Sequence, residues 1–80
     1  MRLPRDVSGA ALAERLESFG YSVKRQKGSH IRLMTLHNGE HHLTIPNHDP
    51  LRLGTLSGIL KAVADHAGMS KDEVAEKLFG

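Results

Sequence analysis

Asn38-Gly39 stands between two runs of alternating aliphatic residues, with Ile31 and Leu33 before it and Leu43 and Ile45 after it. This pattern predicts a β-hairpin, because asparagine and glycine tolerate the positive φ that tight turns need. It also limits the register. A two-residue turn would pair Leu33 with Thr44 and Ile31 with Pro46. A three-residue loop, His37-Asn38-Gly39 with the glycine left-handed, pairs Leu33 with Leu43 and Ile31 with Ile45. Only the second register gathers all four aliphatic side chains on one face, and a slip of one residue would send half of them into water. His30, Arg32, His42 and Thr44 then share the opposite face.

The rest of the chain arranges itself around this hairpin. Ser8 is a good N-cap, Val7 can staple onto Leu12, and Leu12, Leu16 and Phe19 make one apolar stripe. A helix over 9–19 follows, stopped by a left-handed Gly20. Tyr21-Ser22-Val23-Lys24-Arg25 alternates as a strand, Gly28 breaks it, and Ser29 to Leu36 reads as a second strand. His41 to Ile45 is the third, ended by Pro46. Residues 46–54 read as a loop, punctuated by prolines, Asn47, Asp49 and Gly54. Leu56, Ile59, Leu60 and Val63 mark a second amphipathic helix that ends near Gly68. Ser70-Lys71-Asp72-Glu73 is a capping box, and Met69 can staple onto Val74, so a short third helix covers 71–79.

Strands joined by short turns form an antiparallel meander. Both amphipathic helices must bury a stripe, and the sheet offers one aliphatic face. The expected fold is therefore α+β: a two-layer α-β-β-β-α sandwich, with both helices on one face of a three-stranded sheet and a short C-terminal helix. The other face stays open and, under strict alternation, carries Lys24, His30, Arg32 and His42.

Eighty residues suit one domain, 1–80, with a thin core. The absence of cysteine excludes a disulfide framework, thiolate catalysis and cysteine-ligated metal sites. No apolar run approaches the ~20 residues of a membrane span. The charged start at Met1 to Asp6 is unlike a signal peptide, so the expected location is the cytoplasm, with no membrane partner. A chain this small leaves little room for a large cofactor fold such as a dinucleotide-binding unit, and no cofactor is expected.

Net charge is only +2, but its distribution is uneven. Lys24, Arg25, Lys27 and Arg32 fall in one stretch, and no acidic residue lies between Glu17 and Glu40. Such a local basic patch suits an anion. Within it, His30 follows Gly28-Ser29 and points outward beside Arg32. Imidazole takes and gives a proton near neutral pH. Ribonucleic acid brings its own nucleophile, the 2′-hydroxyl, so its cleavage needs a base and no metal. Arg32, Lys27 or Lys24 can stabilise charge on the phosphate. Gly28 allows close approach of a backbone, and Ser29 can donate a hydrogen bond. The other histidines are less directed. His37 reads as a turn residue, His41 and His42 point to opposite faces, and His66 suits a helix C-terminus. His48 can approach His30, because the third strand runs back along the second. A zinc site drawn from His30, His42 and His48 is the weaker alternative, since the spacing matches no strong zinc pattern.

Several of these segments resemble one family. Gly20-Tyr21 followed by Arg25-Gln26-Lys27-Gly28-Ser29-His30 is similar to the signature of HicA-type toxins. Ile45-Pro46-Asn47-His48 resembles that family's hydrophobic–Pro-x-His. Leu53-Gly54-Thr55-Leu56 with Ile59-Leu60-Lys61 resembles its helix start, and Gly68 to Glu73 its tail. The resemblance implies a fold like a double-stranded-RNA-binding domain. It implies a metal-independent endoribonuclease that cleaves messenger RNA and stops translation. It makes His30 the catalytic histidine and a HicB antitoxin the partner that covers it. Lys24, Lys27, Gly28, Ser29, Arg32 and His48 are the candidate RNA-binding residues beside it, with His48 either acting directly or holding its loop. The hairpin departs from the family in carrying Asn38-Gly39-Glu40-His41-His42 where basic residues are common. The alternatives are a non-catalytic RNA-binding module, a protein-interaction domain of the same fold, and a zinc-dependent hydrolase.

Overall fold

A computed structural model of the chain describes residues 3–80. The Met1-Arg2 part of the charged start lies outside the described residues. Helix α1 covers Gly9–Arg15, strands β1, β2 and β3 cover Ser22–Lys27, His30–Thr35 and His41–Pro46, and helices α2 and α3 cover Leu53–Ala67 and Lys71–Phe79.

The strands form an antiparallel sheet of order β1-β2-β3. The hairpin takes the expected register, with Ile31 opposite Ile45 and Leu33 opposite Leu43. Asn38 and Gly39 both adopt positive φ, 60° and 98°, and the Gly39 amide donates to the Leu36 carbonyl. Ile31, Leu33, Leu43 and Ile45 are all buried, as the shared face requires. Helices α1 and α2 pack on that face, and α3 packs on α2. Leu12, Leu16, Leu56, Leu60, Val63, Val74 and Leu78 complete the core. The result is the expected two-layer α+β sandwich with one open sheet face.

Local differences have simple causes. The helix expected over 9–19 is α-helical only to Arg15, and Leu16–Phe19 tightens into a 3₁₀ turn before Gly20 caps it at φ 88°. Helix α2 begins at Leu53, inside the expected loop, with Arg52 as N-cap and no side-chain cap bond. Gly54 therefore sits in its first turn rather than in the loop. Ser8 and the Ser70/Glu73 capping box behave as expected, the Ser8 hydroxyl accepting from the Ala11 amide.

The largest difference is in β1. Val23 pairs with Leu33 on the helix side, but the next pair is Arg25 with Arg32. Lys24 is the extra residue of a β-bulge, so Lys24 and Arg25 both stand opposite Arg32. Strict alternation fails at this point. β1 is also an edge strand that overhangs the helices: every residue in it is exposed, including Val23 at 48%.

Two contacts fix the end of β3. The Asn47 amide donates to the Ser29 carbonyl at 2.6 Å, and the Gly9 amide donates to the His48 carbonyl at 2.9 Å. The α1 N-terminus sits so close that a Cβ on Gly9 would lie 2.0 Å from the Pro46 carbonyl oxygen.

Candidate nucleic-acid interface

The open face of β1 and β2 carries a shallow hollow lined by Arg25, Lys27, His30, Arg32 and Thr44. Its floor is the β1–β2 hairpin. Lys27 pairs with His30 across a two-residue turn, Gly28-Ser29. Gly28 has φ 56° and Ser29 does not enter the positive region, which matches a turn with glycine at its first central position. That turn sets His30 on the first residue of β2, exposed to solvent. Arg32 is two residues further on the same face, and Thr44 lies directly across from it on β3.

The lining holds three cationic side chains, one imidazole and one hydroxyl, and no carboxylate. His30 and Arg32 share the open face as expected, and the Gly28-Ser29 turn and Lys27 lie beside them; strict alternation puts Lys27 on the helix side, and the bulge turns it outward. Lys24 is not among them. It belongs to the bulge and does not line the hollow, and Arg25 takes the place beside Arg32. Sequence reading missed Arg25 as a site residue. The only available signal was its membership of the basic stretch, because the alternation pointed it at the helices.

His48 also lies outside the lining. Its neighbour Asn47 is bonded to Ser29, while its own carbonyl is bonded to Gly9, so the segment ties β3 to both the His30 turn and α1. His42 is on the open face and exposed, and its Nε2 lies 2.8 Å from a Glu40 carboxylate oxygen. Among the described residues no group of three or more His, Cys, Asp or Glu has the spacing to hold a metal ion. His30, His42 and His48 therefore do not converge on a zinc site.

The family model described as HicA toxin of bacterial toxin–antitoxin matches residues 9–64, more than half of the chain. The chain belongs to the HicA toxin family. No curated protein and no solved structure matches it. As a HicA toxin it is one half of a toxin–antitoxin system and has an antitoxin partner. The matched range runs from the glycine packed on Pro46 into the last turns of α2 and includes every residue of the hollow. Helix α3 lies beyond it.

A second histidine group of this HicA toxin lies at the far end of the sheet, away from the hollow. The Tyr21 hydroxyl lies 2.6 Å from His41 Nδ1. The His41 ring stacks on His66 of α2 at 4.4 Å and 11°. His66 Nε2 in turn lies 2.8 Å from the His37 carbonyl oxygen. Burial lowers the His41 pKa, and the charges of the stacked His66 and of the neighbouring His42 lower it further. Burial raises that of Tyr21. This group ties the β2–β3 hairpin to α2 and so supports the sheet from which His30 projects. No helix is long and apolar enough to cross a membrane among the described residues.

Proposed function

We propose that this HicA toxin is an endoribonuclease that cleaves messenger RNA in the cytoplasm and so stops translation, with His30 as its general acid/base. The observation that carries this reading is the placing of an exposed imidazole among three cations, with no carboxylate in the lining. A phosphodiester is the anion such a site attracts, and it draws both nucleophile and charge to the histidine.

In this mechanism His30 takes the proton of a 2′-hydroxyl. The 2′-oxygen attacks the adjacent phosphorus, the bond to the 5′-oxygen breaks, and that oxygen takes a proton from water. The products are a 2′,3′-cyclic phosphate and a 5′-hydroxyl. Arg32 and Lys27 hold the non-bridging oxygens while negative charge builds on them. Gly28 leaves the turn open, with nothing within 4 Å of a Cβ built there. Ser29 donates to the backbone of the bound strand. His48 holds its loop through backbone bonds rather than carrying a proton. The antitoxin partner is a HicB-type protein that covers His30.

The test is cleavage of a defined RNA by purified protein, with the ends analysed. The expected result is fragments bearing 2′,3′-cyclic phosphates from wild type and none from His30→Ala. Fragments with 5′-phosphates, or undiminished cutting by His30→Ala, would overturn the mechanism. Binding without cutting by wild type would point to a non-catalytic RNA-binding module.

A further inference from the structure

Arg25 and Arg32 are direct cross-strand partners, an arrangement that costs stability because like charges opposite each other repel. Among the described residues neither guanidinium is held in an ion pair or a hydrogen bond. The pair exists only because of the bulge. Counting in twos from Val23, which faces the helix side opposite Leu33, would put Arg25 and Lys27 on that same side. One inserted residue, Lys24, turns both onto the open face, where Arg25 meets Arg32 and Lys27 meets His30. Bulges of this kind recur where a strand must re-aim a side chain.

We infer that the bulge builds a phosphate clamp from Arg25 and Arg32, which grips the backbone of single-stranded RNA at the phosphate facing His30 and the one beside it. The inference rests on the ribonuclease reading and adds to it the residue pair that holds the strand. Guanidinium groups suit the task, because their planar fork meets phosphate oxygens two at a time. The rest of the open face agrees. Its side chains are Ser22, Arg25, Lys27, His30, Arg32, Met34, His42, Thr44 and Pro46, with no Phe, Tyr or Trp on which a base could stack. With three cations and no Asn, Gln, Asp or Glu among these side chains to read base edges, the affinity comes chiefly from the phosphates, and phosphate contacts carry no sequence information. The clamp therefore binds RNA strands of differing sequence with similar strength.

The probe is 2′-O-methyl oligouridine, which keeps the phosphates and has no free 2′-hydroxyl to be attacked. Binding is measured over a range of salt concentrations. Arg25→Gln and Arg32→Gln should each reduce the slope of log affinity against log salt by about 0.7, the loss of one phosphate contact on a single strand. Arg25→Lys should keep the slope and lose affinity. Lys24→Gln should leave the slope unchanged. Arg25→Gln should also melt at the same or a higher temperature than wild type, since it removes a repulsion; a merely structural arginine would lower it. An unchanged slope for Arg25→Gln, or an equal fall for Lys24→Gln, would overturn the clamp. If these variants disagree with the clamp while wild type still cleaves RNA at a 2′-hydroxyl, the ribonuclease reading stands alone. If wild type binds no oligouridine at any salt concentration, both fail.

Discussion

The Asn47 amide donates to the Ser29 carbonyl at 2.6 Å, so the chain leaving β3 is pinned to the turn that presents His30. The next residue is pinned in the other direction, through the bond between the His48 carbonyl and the Gly9 amide. Three distant segments thus meet behind one exposed imidazole. An exposed side chain has few contacts of its own, and its position is set by the backbone that carries it.

Gly9 is the tightest point of that junction. A methyl group there would lie 2.0 Å from the Pro46 carbonyl oxygen, which is backbone and cannot swing aside. Gly9→Ala should lower stability by about 1–3 kcal/mol, the usual cost of overpacking. It should also reduce RNA cleavage at temperatures where the protein is still folded, because the Pro46–His48 segment must shift. Chemical denaturation and a cleavage assay on the same preparation check both. Unchanged stability would mean that α1 can move away freely.

Gly28 tests the turn itself. Its φ of 56° suits glycine and strains a β-branched residue, at roughly 1–2 kcal/mol. Gly28→Val should therefore be destabilising and should impair cleavage, whereas Gly28→Asn should keep most of both. The open space around this position means that steric clash cannot account for the difference. Equal behaviour of the two variants would show that backbone strain is not what the glycine relieves.

The far end of the sheet gives a pH dependence. Burial, then the charges of the stacked His66 and the neighbouring His42, hold the His41 pKa below its ordinary 6.5. The unfolded chain therefore binds this proton more readily than the folded one. Stability from this group is fully present above about pH 6.5 and is lost as pH falls through the lower folded value. The groups facing His41 are the Tyr21 hydroxyl and the His66 ring, while His37 reaches the group through its carbonyl; His42, with its Glu40 partner, acts on it from the opposite face of the sheet. His41→Gln keeps an acceptor for Tyr21 but does not titrate. Its melting temperature should fall less than that of wild type between about pH 7.5 and pH 5.5. An equal fall would assign the acid sensitivity to other groups.

Chelation gives a further check. The mechanism draws its nucleophile from the RNA and its charge stabilisation from Arg32 and Lys27. Cleavage by purified wild type should therefore continue at an unchanged rate in excess EDTA. Loss of cleavage, restored by a divalent cation, would return the protein to the hydrolases that use a metal.

The hairpin was legible in the sequence because two constraints agreed there. Asn38-Gly39 marked the turn, and Ile31, Leu33, Leu43 and Ile45 fixed the parity of the register. The bulge was not legible. β1 is an exposed edge strand, and Lys24-Arg25-Gln26-Lys27 has no apolar beat to show where alternation slips. Arg25 was hidden by the same fact. The start of α2 was misplaced by two residues because its N-cap, Arg52, makes no side-chain bond. The stack of His41 on His66 joins residues far apart in sequence, and only the packing of α2 beside the hairpin brings them together. His30 was placed correctly because Gly28-Ser29 and the hairpin parity both bear on it.

The central claim is that His30 makes this HicA toxin a ribonuclease. The most direct measurement is induction of wild type and His30→Ala in a bacterial host, followed by growth and messenger-RNA integrity. Both proteins should accumulate folded, because replacing an exposed strand residue costs no more than about 0.5 kcal/mol. The account predicts growth arrest with loss of full-length messenger RNA for wild type, and normal growth with intact RNA for His30→Ala. Arrest and RNA loss with both proteins would contradict it.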